Sequence, residues 1–141
     1  MVEHRLIEEL ISALPDWLRT TVEAQFESYN LAQREVNGRE LNFYRKVGGR
    51  ANCMDGLPLL SMNGDEAPLM RITAQLAEEP ECVHATLNAV GGRAFCVGFS
   101  RRVDRYADGT KVAVIGITEA WRSNFPRPKA LGEQIGSSNG G

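Results

Sequence analysis

The sequence predicts an α+β fold in which two N-terminal amphipathic helices pack on a curled antiparallel β-sheet. Three observations predict it. Apolar residues recur at helical spacing near the N-terminus, at Leu6, Ile7, Leu10, Ile11 and Leu14 and again at Leu18, Val22, Phe26, Tyr29, Ala32 and Val36. Further on the period shortens to two, over 82–90, 93–105 and 111–122. Between these later segments stand hairpin signals, Gly91-Gly92 and Tyr106-Ala107-Asp108-Gly109-Thr110. Helices gathered at one end of a chain and strands at the other place the helices on one face of an antiparallel sheet.

The first helix is expected over 2–14, stopped by Pro15, with Asp16 available to cap the second. The second is expected over 17–36, with Asn37-Gly38 as its C-terminal stop. Trp17, Ala24 and Leu31 repeat every seven residues on another side of it. That stripe faces either a broad core or a second subunit. A strand over 40–47 alternates Leu41, Phe43 and Val47 with Asn42, Tyr44 and Lys46 and ends at Gly48-Gly49. Residues 50–64 read as a loop that tucks Met54, Leu57, Leu59, Leu60 and Met62 beneath itself.

Residues 65–79 fit two readings. Met70, Ile72, Ala74 and Leu76 alternate as in a strand, while Leu69, Ile72 and Leu76 share a helical face behind an Asp65 cap. The segments Val47-Gly-Gly-Arg-Ala-Asn-Cys53 and Val90-Gly-Gly-Arg-Ala-Phe-Cys96 echo each other. Their common cause is local: glycine enters positive φ without steric cost, so each marks a Gly-Gly turn. The domain is expected over 1–125, with 126–141 a Pro/Gly-rich tail after Pro126 and Pro128.

The 141 residues suffice for one core without staples, and 43% hydrophobic and 24% charged content is ordinary for a globular protein. A formal charge of -2 argues against nucleic-acid binding through the whole surface. Cys53, Cys82 and Cys96 are odd in number and form no CxxC, which points to a reducing cytoplasm. No apolar run reaches membrane-spanning length, and Glu3, Glu8 and Glu9 interrupt any signal peptide. Residues 1–36 hold seven acids against three bases, whereas 98–129 hold seven bases against three acids. The two regions either complement each other internally or offer the basic end to an anionic partner.

No GxxxxGK, GxGxxG, HExxH or calcium loop occurs, so neither a cofactor nor a metal is expected. His84 beside Cys82 or Cys96 is the only arrangement that suggests a thiol–imidazole pair, and buried cysteines are usually inert packing. A sharper candidate comes from the Asp108-Gly109 turn. Closed as a three-residue loop, it pairs Phe95 with Trp121, Phe99 with Ile117 and Val103 with Ala113. Closed as a two-residue loop it sets large residues against small, so the first is favoured. That register makes Phe95, Phe99, Ile117 and Trp121 the lining of a ligand pocket. Glu119 projects among the aromatics there as a candidate catalytic carboxylate, its pKa raised by desolvation, unless it is solvated or paired with Arg101. Cys96, Gly98, Ser100, Gly116, Thr118 and Ala120 form a smooth opposite face.

The layout, with Val103-Asp-Arg-Tyr-Ala-Asp-Gly109 leading into Thr118-Glu-Ala-Trp-Arg122, resembles the nuclear transport factor 2-like superfamily of cone-shaped α+β barrels. The run Gly-Gly-Arg, strand, Asp-Gly, strand is also similar to the end of a hotdog thioesterase. The first resemblance implies an apolar pocket between sheet and helices, used by isomerases, hydrolases and dehydratases and also by non-catalytic binders. The expectation is therefore a small-molecule-binding α+β domain with a small apolar ligand, with or without catalysis. The alternative is a protein-interaction module, a dimeric adaptor or inhibitor, using the second helix and a sheet face. A homodimer is expected, with no nucleic-acid or membrane partner.

Overall fold

The fold was obtained as a computed structural model that describes residues 1–50 and 56–128. Two helices, α1 (Val2–Ser12) and α2 (Asp16–Ser28), precede six strands: β1 (Leu31–Arg34), β2 (Glu40–Tyr44), β3 (Glu66–Leu76), β4 (Val83–Val90), β5 (Arg93–Phe99) and β6 (Val112–Thr118). The strands form one open, curled antiparallel sheet in the order β1-β2-β5-β4-β3-β6. Both helices lie on one face, α1 across β3, β4 and β6 and α2 over β5. The α+β class predicted from periodicity is thus the class observed. Among the described residues no helix is long and apolar enough to cross a membrane.

The core forms where the two periodicities meet. Leu6 and Leu10 of α1 and Leu18 and Val22 of α2 point down, and Ile72, Ala74, Leu87 and Val97 point up to meet them. Residues 65–79 resolve as a strand. Ile72, Ala74 and Leu76 are buried while Arg71, Thr73 and Gln75 face the other side, and β4 and β6 pair on either flank. Two partner strands satisfy this backbone, and that outweighs a helix-leaning composition. A bulge between Pro68 and Met70 breaks the alternation, so Leu69 and Met70 are both buried.

Helix α2 is shorter than its apolar stripe. The backbone turns extended at Tyr29, and Asn30 ties the chain to Lys46 through both its amide oxygen and nitrogen at 2.8 Å. Leu31–Arg34 is then free to pair with β2, and Asn37-Gly38 becomes the turn of that hairpin rather than a helix stop. Leu31 therefore leaves the helix, and the Trp17/Ala24/Leu31 stripe is not a continuous face. Trp17 packs edge-to-face on Trp121 at 5.5 Å.

The larger correction concerns the last two strands. The Asp108-Gly109 turn forms, with Gly109 at φ +88° and Thr110 N–H donating to Ala107 O. The hairpin does not. β5 has β2 on one edge and β4 on the other, so it has no edge left for β6, which pairs with β3. Phe95–Trp121, Phe99–Ile117 and Val103–Ala113 are accordingly not opposed. Residues 100–111 instead cross the end of the sheet, where Arg101 meets Glu79 and buried Val103 plugs the core. The expected strand ends short at both places, at Phe99 and at Thr118, and Ala120–Ser123 is a 3-10 turn.

Both Gly-Gly echoes are turns of the same kind, with φ of +58° and +80° at Gly48 and Gly49 and +57° and +83° at Gly91 and Gly92. A methyl at Gly91 would meet nothing within 4 Å, but at Gly92 it would lie 2.9 Å from Leu60 O. We therefore expect Gly91→Ala to cost about 1–2 kcal/mol from its backbone angle alone. Gly92→Ala should cost roughly 1–3 kcal/mol more from the clash, read as paired urea-unfolding midpoints. Of the expected apolar loop, Leu60 is buried and Leu59 is exposed. Cys53 and Met54 lie outside the described residues, as do positions 129–141 of the expected tail.

Candidate functional site

Helix α1 has an apolar face wider than its contact with the sheet. Val2, Leu6 and Leu10 go to the core, and the adjoining flank carries His4, Ile7, Glu8 and Ile11 at helical spacing. Facing that flank are Phe26 of α2, Tyr29 at its end, Leu31 and Ala32 of β1, and Phe43 of β2. Between them lies an open groove of about 530 Å³, a volume typical of small-ligand sites. Two smaller hollows share its walls, one running past Glu23 and Ser12, the other toward Arg34.

The far wall is aromatic and well braced. Phe26 lies 4.9 Å from Phe43 and 5.2 Å from Tyr29, and Tyr29 stacks on Phe43 at 5.9 Å. The Tyr29 hydroxyl donates to Ala94 O, and burial pushes its pKa up to about 12 despite the nearby Arg93. Tyr29 thus serves as a pinned wall, not as an acid. At the rim, His4 Nε2 stands 2.9 Å from Glu8 Oε1. The two side chains are 72% and 59% exposed, so water competes for both.

Comparison with family models, with curated proteins and with solved structures returns no match.

The residues singled out from sequence are dispersed. Phe99 and Trp121 are buried in the core. Phe95 is half-buried, edge-on to Tyr44 at 5.2 Å and beneath the Arg93 guanidinium. Ile117 is 57% exposed on edge strand β6, with β4 and β3 between it and β5. Glu119 is exposed and paired with Arg122 at 3.2 Å rather than with Arg101. No common cavity joins them among the described residues. Cys96 donates its thiol to Glu40 at 2.8 Å, and burial with that carboxylate raises its pKa far from a thiolate. His84 lies on the exposed outer face against Thr73, Nδ1 to Oγ1 2.9 Å, well away from Cys96, which opposes Asn88. No three His, Cys, Asp or Glu side chains converge to hold a metal ion among the described residues.

A charged clasp holds α1 where the groove needs it. Glu3 is only 2% exposed and receives Arg34 through Nε at 3.3 Å and through Nη2. Arg34 also approaches Asp104 at 3.8 Å, and Asp104 is gripped by Arg102 at 3.0 and 2.7 Å. Arg102, with help from Arg34, lowers the Asp104 pKa to about 2. A depressed carboxylate contributes stability that is present above its unfolded pKa near 4 and is lost as pH falls through about 2. Asp104→Asn should therefore flatten the acid limb of the stability profile between these values by up to about one proton of slope, measured by urea titration at stepped pH.

Proposed function

We propose that this domain binds a small, largely apolar molecule in the groove between α1, α2 and the β1–β2 hairpin. The observation that carries the reading is the aromatic and aliphatic lining of that groove, held open by side chains that are themselves fixed by packing. A concave, mostly apolar lining with a few polar groups at its rim is the usual form of a small-ligand site. The reading is of binding, and the His4–Glu8 pair on the rim is largely exposed to solvent. Filling the groove from the exposed strand β1 tests it without touching the core. Ala32→Trp should weaken uptake of a neutral environment-sensitive dye at least about tenfold while leaving the melting temperature within a few degrees. Unchanged dye binding would remove the groove from consideration.

A second reading, self-association, is favoured by one observation. Ile115 and Ile117 are 59% and 57% exposed on β6, whose outer edge has no partner strand among the described residues. On this reading, sedimentation at tens of micromolar shows a dimer that Ile117→Lys converts to a monomer. A wild-type monomer under the same conditions sinks it.

A further inference from the structure

We infer that the groove's ligand carries a protonated amine on an apolar body; this rests on the groove reading above and adds its chemical class. The groove complements such a ligand in charge. Two carboxylates, Glu8 and Glu27, stand on the wall of the groove, and Glu23 lines the hollow that continues it. Glu8 has His4 beside it and Glu23 has Arg19 at 3.5 Å, but Glu27 makes no ion pair among the described residues.

The arginine that borders the groove's walls is already engaged. Arg34, at the opposite end, is held by Glu3 and Asp104. Three arginines of the basic C-terminal segment find partners close by, Arg101 with Glu79, Arg102 with Asp104 and Arg122 with Glu119. None of these three pairs involves the groove, whose own charged lining is Glu8 and Glu27 with His4. Lys46 lines an adjoining hollow that shares Asn30 and Leu31 with the groove, and it is not part of the groove's own lining.

An anionic head group entering this groove would meet like charge at its mouth. A protonated amine would meet Glu27 and Glu8 and the π faces of Phe26, Tyr29 and Phe43, which attract cations. Partial exclusion of water by the ligand's own apolar body strengthens both interactions. The α1 wall from His4 to Ile11 is about 10 Å long at the helical rise, which suits a medium alkyl or aryl chain.

The test is calorimetric titration with three matched probes, decylammonium, decanol and decanoate, each below its micelle-forming concentration. Decylammonium should bind at least about tenfold tighter than decanol, and decanoate more weakly than either. Glu27→Gln should cut the decylammonium advantage roughly three- to tenfold and leave decanol unchanged. If decanol binds, is lost in Ala32→Trp, and yet decylammonium is no tighter than decanoate, the amine assignment is overturned and the groove reading stands. If none of the three binds, or if Ala32→Trp alters none of them, the groove reading falls and the assignment falls with it.

Discussion

Replacing Gln25 by leucine should lower unfolding stability by about 3 kcal/mol, among the largest losses any single polar residue of this domain can give. Gln25 is fully buried on α2 and bridges three backbones. Its amide nitrogen donates to Pro58 O at 2.9 Å and Gly92 O at 3.0 Å, and its oxygen accepts from Ala94 N at 2.8 Å. Leucine matches the volume but leaves the buried Ala94 N–H without a partner, and it removes one tie between the 58–60 loop and the β4–β5 turn, leaving the Leu60 N–H to Gly92 O bond at 2.8 Å. An orphaned buried donor costs about 1–3 kcal/mol on its own. Gln25→Glu carries a signature of its own. A carboxylate there faces two carbonyl oxygens, so its folded pKa must rise. A raised acid is stabilising only when protonated, so this variant should lose less stability at pH 4 than at pH 7. Thr20→Ala on the exposed side of α2 is the control and should change stability by under about 0.5 kcal/mol.

The second large effect is at Glu3. Removing it leaves the Arg34 guanidinium half-buried beside Asp104 and Arg102, and Glu3→Ala should cost about 2–4 kcal/mol. The double variant Glu3→Leu/Arg34→Met should lose clearly less than the two single losses added, because an apolar pair replaces a desolvated ionic one. A double-mutant cycle by chemical denaturation measures this. Strict additivity would mean that the clasp is not a coupled unit. Because the clasp seats α1 against β1, Glu3→Ala should also weaken ligand uptake at temperatures where the domain is still folded.

Much of the fold was legible because its strongest periodicities are long. Leu6, Leu10 and Leu14 admit one helical face, and 82–90 with its Gly-Gly turn admits one hairpin. What was not legible follows from two-fold meanings of short signals. Asn37-Gly38 ends a helix or turns a hairpin equally well, and only the pairing of Leu31–Arg34 with β2 decides between them. Asp108-Gly109 makes a turn in either case, but whether the flanking strands pair depends on which edges of β5 are vacant, a non-local matter. Every residue placed in the first candidate site inherited that one choice.

The groove itself left traces in the sequence. Ile7 and Ile11 widen the α1 stripe beyond what one contact face needs, while Phe26 and Tyr29 read as core positions of a longer second helix and Phe43 as the apolar face of a strand. Gln25 and Glu3 were visible as polar residues at apolar-face positions, three from Val22 and three before Leu6, a pattern that marks a buried hydrogen-bonding hub or ion pair. Their partners come from 31 to 69 residues away and cannot be read from spacing.

The most direct measurement of the central claim is a methyl-labelled NMR titration with decanol, following isoleucine and leucine signals. The groove predicts saturable shifts at Ile7, Ile11 and Leu31, with Ile115 and Ile117 unmoved and the shifts abolished in Ala32→Trp. Shifts confined to Ile115 and Ile117, or none that saturate, would contradict it and move attention to the β6 edge.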